Sequence, residues 1–278
     1  MSIQVPLNSP QLLKASDGAF QREFFLCTAS HYSLKADQPM LEAPIFSLST
    51  KRDLQIWRWQ SADNSKTLQV VPSAYGRATM RDKDVLIYAT SQLVSAMNAG
   101  FRPSRTLRFT AYEFLCSTQR GVRGDSYSAF KLALDRLKGT VIKTNIATGG
   151  KTFTAAFGLI ESYALIQRGT DAPMCAAEIT LSEWLYEAIL GMDVLTLSPE
   201  YFSLRKPLER RLYEVARKHV GRQCLWTIGL NTLAAKCGSE TARLRKFREA
   251  IREISRDDHL PDYSLDLYTS DQVAFFRR

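Results

Sequence analysis

"CLWTIGLNTLAAKCGSETARLRKFREAIREIS", residues 224–255, decides how the rest of the chain is understood. CLWTIG (224–229) has the content of a short strand, LNTLAAKC (230–237) that of a short helix, and GSETARLRKFREAIREIS (238–255) that of a longer helix with Ser239 as its expected cap. On a wheel of roughly 100° per residue with Phe247 at the origin, Leu244, Ile251 and Ile254 fall between roughly −20° and 60°. Thr241, Arg245, Arg248, Arg252 and Arg256 fall between roughly 100° and 180°, and Glu249 and Glu253 follow at roughly 200° to 240°. An apolar stripe therefore faces a core, and the neighbouring sector is nearly all arginine. The planar donor fork of arginine matches phosphates and guanine edges. The plainer alternative is a solvated face on which Arg245 pairs with Glu249 one turn on, a contact of little energetic weight.

On either side of this stretch, KPLERRLYEVARKHVG (206–221) forms a helix with Leu208, Leu212, Val215 and Val220 on its apolar side, and YSLDLYTSDQVAFF (263–276) a hairpin with its tip near TSDQ. Helix, strand, helix, helix, hairpin is the element order of a winged helix, whose third helix enters the DNA groove. The order occurs earlier too. RDKDVLIYATSQLVSAMNAG (81–100) carries Leu86, Ala89, Leu93 and Ala96 at helical spacing and stops at Gly100. RTLRFT (105–110) follows as a strand, AYEFLCST (111–118) and SYSAFKLALDRLKG (126–139) as helices, and TVIKTNI (140–146) and KTFTAAFGLIESYALI (151–166) as strands around an ATGG tip. Phe130, Leu134 and Leu137 recur as Phe247, Ile251 and Ile254 at a constant offset of 117 residues. The expectation is an α+β chain of two tandem winged-helix domains, a diverged internal repeat. The domains span 41–168 and 169–278 behind an N-terminal arm, 1–40, with the break near RGTDAP and with CAAEITLS (175–182) and EWLYEAIL opening the second. Ahead of the first helix, APIFSLST (43–50) is expected as a strand, and DLQIWRWQ (53–60) with KTLQVVPS (66–73) as a hairpin.

The net charge is +9, and residues 205–256 hold fourteen Lys/Arg against five Asp/Glu, so the remainder sums to about zero. A field concentrated in one part of the chain points to an anionic partner there, nucleic acid first and a membrane surface second. In the second unit Lys236 and Ser239 at the turn, with Thr241, Arg245, Arg248 and Arg252 on the long helix, are the candidate DNA contacts. The equivalent first-unit helix is less basic, and its candidates are Arg120 and Arg123 in the preceding turn and Lys131 on the helix. A hydrophobic content of 45% argues for a folded protein. No apolar run approaches the ~18 residues of a membrane span, and the N-terminal stretch lacks the pattern of a signal peptide; a cytoplasmic protein is expected. The cysteines are scattered without metal-ligand spacing and are expected as free thiols, Cys116 as a small core residue. There is no GxxxxGK[ST], HExxH or GxSxG; the GKT at 150–152 lacks its upstream glycine, and His31, His219 and His259 stand apart, His219 as a surface residue. No enzyme, metal or cofactor is expected.

Five stretches resemble the plasmid replication initiator protein A (RepA) family: FSLSTKRD (46–53), RDKDVLIY (81–88), RTLRFTAYEFL (105–115), LTLSPEYFSLRKPLERRLYEVARKH (195–219) and DHLPDYSL (258–265). The long 195–219 block is the specific one. The likeness covers about 43–266 and departs at Cys237, where a serine is expected. It implies a sequence-specific initiator that binds double-stranded repeats (iterons) at a bacterial plasmid origin, promotes opening of an AT-rich segment and gathers the host initiator and replicative helicase machinery. It also implies a C-terminal domain that reads the major groove and an N-terminal one that supports a homodimer. The alternatives are a plasmid transcriptional repressor without initiator activity, and a protein-only adaptor with a basic face.

Overall fold

The structure is a computed structural model that describes residues 24–27, 32–61, 63–146, 155–167, 174–239 and 244–278. Most of the expected arm, the ATGG tip, RGTDAP and Thr241 lie outside the described residues. Strands β1 (Phe25–Leu26) and β2 (Lys35–Asp37) lead into a short helix α1 (Gln38–Glu42). Asp37 caps α1 by accepting from the Met40 amide at 2.9 Å, and Pro39 suits its first turn. Residues 43–50, expected as a strand, run irregularly with one bridge from Ser47 to Thr79, because among the described residues no strand lies alongside and the Ser47 hydroxyl turns to Asp53 at 2.6 Å. The hairpin that follows forms as expected from β3 (Trp57–Gln60) and β4 (Thr67–Val71), with Trp57 opposite Val70.

Helix α2 (Lys83–Asn98) buries Leu86, Ala89, Leu93 and Ala96, and also Lys83, Asp84, Ile87, Thr90, Ser91 and Gln92. Its second face is closed by the other half of the molecule, where Ile87 joins a second core. β5 (Thr106–Thr110), α3 (Ala111–Ser117), α4 (Gly124–Gly139) and β6 (Val141–Thr144) follow. Thr110 and Glu113 close a capping box on α3. Phe130, Leu134 and Leu137 of α4 are fully buried, with the Phe130 ring 4.8 Å from that of Phe114. Only Ala111, Phe114 and Leu115 of α3 face inward, so Cys116, expected in the core, is exposed, while Cys27 and Cys237 are buried.

The expected long strand after the tip is broken at Leu159 into β7 (Ala155–Gly158), which pairs with β6, and β8 (Ile160–Gln167), which turns away. β9 (Met174–Leu181), expected to open the second domain, lies between β5 and β8 in a sheet ordered β1-β5-β9-β8; the other four-stranded sheet is β3-β4-β6-β7. Ala177, Ile179 and Leu181 are fully buried there, and α5 (Glu183–Leu190) adds Trp184, Leu185 and Ile189 to the same core. The first unit thus runs past residue 168 through α5. Its helices echo those of the second unit, but its sheet does not.

β10 (Val194–Thr196) pairs with β2, placing Leu195 opposite Ala36. The second unit is α6 (Pro207–His219), β11 (Leu225–Gly229), α7 (Leu230–Cys237), α8 (Leu244–Asp257), β12 (Tyr263–Leu267) and β13 (Gln272–Arg277), with β13 central in the order β11-β13-β12. Phe247, Ile251 and Ile254 bury their side chains with Leu212, Val215 and Phe275. Buried ions join the units. Glu214 of α6 takes Lys83 at 2.9 Å, Arg211 at 3.2 Å and the Tyr201 hydroxyl at 2.8 Å. Arg211 also donates to the carbonyls of Leu41 at 3.0 Å and Lys236 at 2.7 Å.

Candidate nucleic-acid interface

Helix α8 turns its apolar stripe inward against β12 and α7, which leaves its other side to solvent. Arg245 is 88% exposed and lies 3.3 Å from Glu249. Arg252 and Arg256 are exposed and have no ion pair among the described residues. Glu253, at the edge of the arginine sector, is matched by Lys206 at 2.8 Å, and that hydrogen bond holds its carboxyl below the usual range. Glu253 is thereby matched by a cation from outside the helix, whereas Glu249 is matched by Arg245 itself, the solvated pairing weighed above as the plainer alternative; Arg252 and Arg256 stay open.

Arg248 stands differently from the sequence expectation. Its Nε and Nη2 donate to both carboxylate oxygens of Asp271 at 3.0 and 2.7 Å. Asp271 sits at the hairpin tip with a φ of 57°, and the Arg248 hydrogen bonds hold its carboxyl below its ordinary range. Two of its nitrogens are therefore occupied, and Arg248 ties the β12–β13 hairpin to α8.

Two other candidates are likewise engaged. Lys236 reaches Glu42 of α1 at 3.1 Å and is mostly buried. Arg120 is 7% exposed, donates to Asp84 at 2.8 Å and lies 5.2 Å above the Phe114 ring. Lys236 thereby ties α7 to α1, and Arg120 ties the α3–α4 turn to α2. Ser239 is half-buried beside Ser47, Asp53 and Arg77, and the residues its side chain would cap lie outside the described ones. Arg123 and Lys131 are exposed at the start and on the outer face of α4. Their neighbourhood is apolar, with Tyr112, Val122 and Leu132 all open to solvent. The structure thus brings Arg245, Arg252 and the hairpin clamp together on one side of the second unit. It does not join Lys236 or Arg120 to them.

His219 is not the surface residue expected. It stacks on Trp226 with centroids 4.7 Å apart and planes 12° off parallel. Burial pushes its pKa down to about 4, with Lys236 adding to the effect and Glu42 opposing it. Asp37 moves the other way, to about 6, because it is wholly buried. Among the described residues no group of three His, Cys, Asp or Glu is placed to hold a metal ion, and no helix is long and apolar enough to cross a membrane. A cleft between the units, lined by Arg81 and Arg205, has no counterpart among the sequence expectations. These residues belong to segments far apart in the chain, and no local run of charge marks them.

Comparison with known proteins gives concordant results. The family model described as Replication initiator protein A matches residues 35–265. A protein of Wigglesworthia glossinidia brevipalpis described as "Putative replication protein" is 36% identical over 264 residues, covering 92% of this chain and 94% of that one. The crystal structure of domains 2 and 3 of RctB superposes with a TM-score of 0.60 at 12% identity, over 86% of this chain and 98% of that one. A second structure of RctB domains 2–3 gives 0.57 at 14%, over 86% and 96%. Those likenesses concern the fold.

Proposed function

The chain belongs to the replication initiator protein A family, and from that premise we propose that it is a sequence-specific DNA-binding initiator whose α8 enters the major groove. The arginine face of α8 is the observation that carries this reading: Arg252 and Arg256 stand open, and Arg245 is 88% exposed with only a surface pair to Glu249. The second unit acts as a winged helix: β13 sits between β11 and β12, and the hairpin, held to α8 by Arg248 and Asp271, lies beside the duplex backbone as the wing. The first unit is a variant of the same module, opened by β9. Its Arg123 and Lys131 touch phosphates, and it supports a homodimer. The cellular role is to bind origin repeats, promote opening and gather host replication proteins. The chain does no catalysis of its own.

The test is a mobility shift on origin DNA over a range of salt. Phosphate contacts make affinity fall steeply with salt. Arg245→Ala with Arg252→Ala should weaken binding by roughly 5- to 150-fold for each arginine that reads a base, with the thermal midpoint unchanged. Unchanged affinity in that variant overturns the assignment of α8. Replication of an origin plasmid with the protein supplied in trans separates an initiator from a repressor that only binds.

A further inference from the structure

Between the two units lies a cleft of about 370 Å³ whose polar wall is mostly arginine. The loop before α2 brings Arg77 and Arg81, the α3–α4 turn brings Arg120, and the start of α6 brings Arg205 and Arg210. Tyr75 presents an exposed ring at the same cleft. The carboxylates do not balance these charges. Arg210 and Arg120 share the one buried Asp84, at 2.5 and 2.8 Å. Arg136 takes Asp82 at 2.7 Å, and Arg77 takes Asp53 at 2.9 Å through a single nitrogen. Arg81 and Arg205 are exposed and have no ion pair among the described residues; Arg205 reaches only the Gln119 carbonyl at 3.5 Å. Four guanidinium groups, Arg81, Arg120, Arg205 and Arg210, therefore face a single carboxylate. Their mutual repulsion adds to burial in pulling the Arg81 pKa down.

Arg77 is only 5% exposed and lies 5.3 Å above the Trp57 ring, with its Nε and Nη1 closed off from solvent, as is the Nε of Arg120. The exposed cations of this wall are the ones a ligand can reach. Unbalanced cations on one wall call for an anion with several acceptor oxygens. A phosphate meets that need more fully than a carboxylate, which offers only two oxygens.

We propose that this cleft binds a phosphate group, with Arg81 and Arg205 as its exposed contacts from opposite units and Arg120 and Arg210, which share one carboxylate, adding positive charge behind them. The group belongs either to a small phosphorylated anion or to the DNA backbone, and the two sources are separable. The proposal does not depend on α8 reading DNA, because its first test contains none.

Inorganic pyrophosphate is titrated into the full chain at constant ionic strength, with chloride as the balancing anion, and the thermal midpoint is followed. The wild type should show a saturable rise. Arg81→Ala with Arg205→Ala should abolish that rise or require at least about tenfold more pyrophosphate. Both side chains are exposed, and the variant's far-UV spectrum and anion-free midpoint check its fold. If that midpoint falls, Arg205→Ala alone repeats the comparison. In a second arm, affinity for duplex DNA is measured against salt. A free-anion site gives the pyrophosphate response. A backbone site gives no such response, but the variant's salt slope falls by about one for each phosphate it no longer holds. An unmoved wild-type midpoint together with an unchanged salt slope overturns the proposal, as does an equal pyrophosphate response in wild type and variant.

Discussion

Arg248 shows how a side chain can face the right way and still be engaged. Its fork grips Asp271, so Arg248→Ala and Asp271→Ala should each loosen the hairpin from α8. The double variant should bind DNA no more weakly than the worse single one. That is the coupling a double-mutant cycle on DNA affinity would read, and simple additivity would place Arg248 on the DNA instead. Two buried titrating groups set a further expectation. The Asp37 pKa is raised to about 6, so its contribution to stability is full below the ordinary carboxylate value and is lost as pH rises through about 6. The His219 pKa is depressed to about 4, so its contribution is full above the ordinary imidazole value and is lost as pH falls toward 4. The two trends oppose each other across the weakly acidic range. Asp37→Asn, which keeps the cap on α1, should raise the midpoint near pH 8 and leave a steeper fall on acidification. His219→Phe, which keeps the stacked ring, should lose that fall. Midpoints followed by circular dichroism from about pH 4 to pH 8 check both.

At the level of elements, the turn between α7 and α8 depends on Gly238. Its φ is +78°, and a Cβ there would lie 2.9 Å from the Cβ of Pro44. Gly238→Ala should therefore cost about 1–3 kcal/mol and lower the midpoint in a thermal melt. Much of α8 is legible in the sequence, because a wheel separates a core stripe from a charged sector and Phe247, Ile251 and Ile254 obey it. The β12–β13 hairpin is legible from its alternation and its tip. The partners of the charged residues are not. Asp271, Glu42 and Asp84 stand 23, 194 and 36 residues from the cations they bind, and a wheel shows a direction without what else arrives there. α2 escapes for a related reason. Thr90, Ser91 and Gln92 look like a solvated face until the chain before α1 packs on α2, where the Lys35 amide donates to the Ser91 hydroxyl at 2.8 Å.

For the molecule as a whole, the join between the units rests on Glu214. It is fully buried and accepts Lys83, Arg211 and Tyr201 at once. Glu214→Ala leaves buried cations without their carboxylate, a loss of about 3–5 kcal/mol. Because Lys83 belongs to one unit and Arg211 to the other, the variant should also unfold in two calorimetric steps where the wild type unfolds in one. A single transition at an unshifted midpoint would show that the network does not join them. The pairing of β9 is beyond the reach of pattern reading, since alternation marks Ala177, Ile179 and Leu181 as a strand without saying which edge receives it. That placement also orders events on the ribosome. β5 cannot acquire its antiparallel neighbour until the chain beyond Leu181 has been synthesised. A nascent chain ending in the 168–173 segment exposes the open edges of β5 and β8, so synthesis through α5 is the earliest point at which the first core can close and a stalled product would escape aggregation.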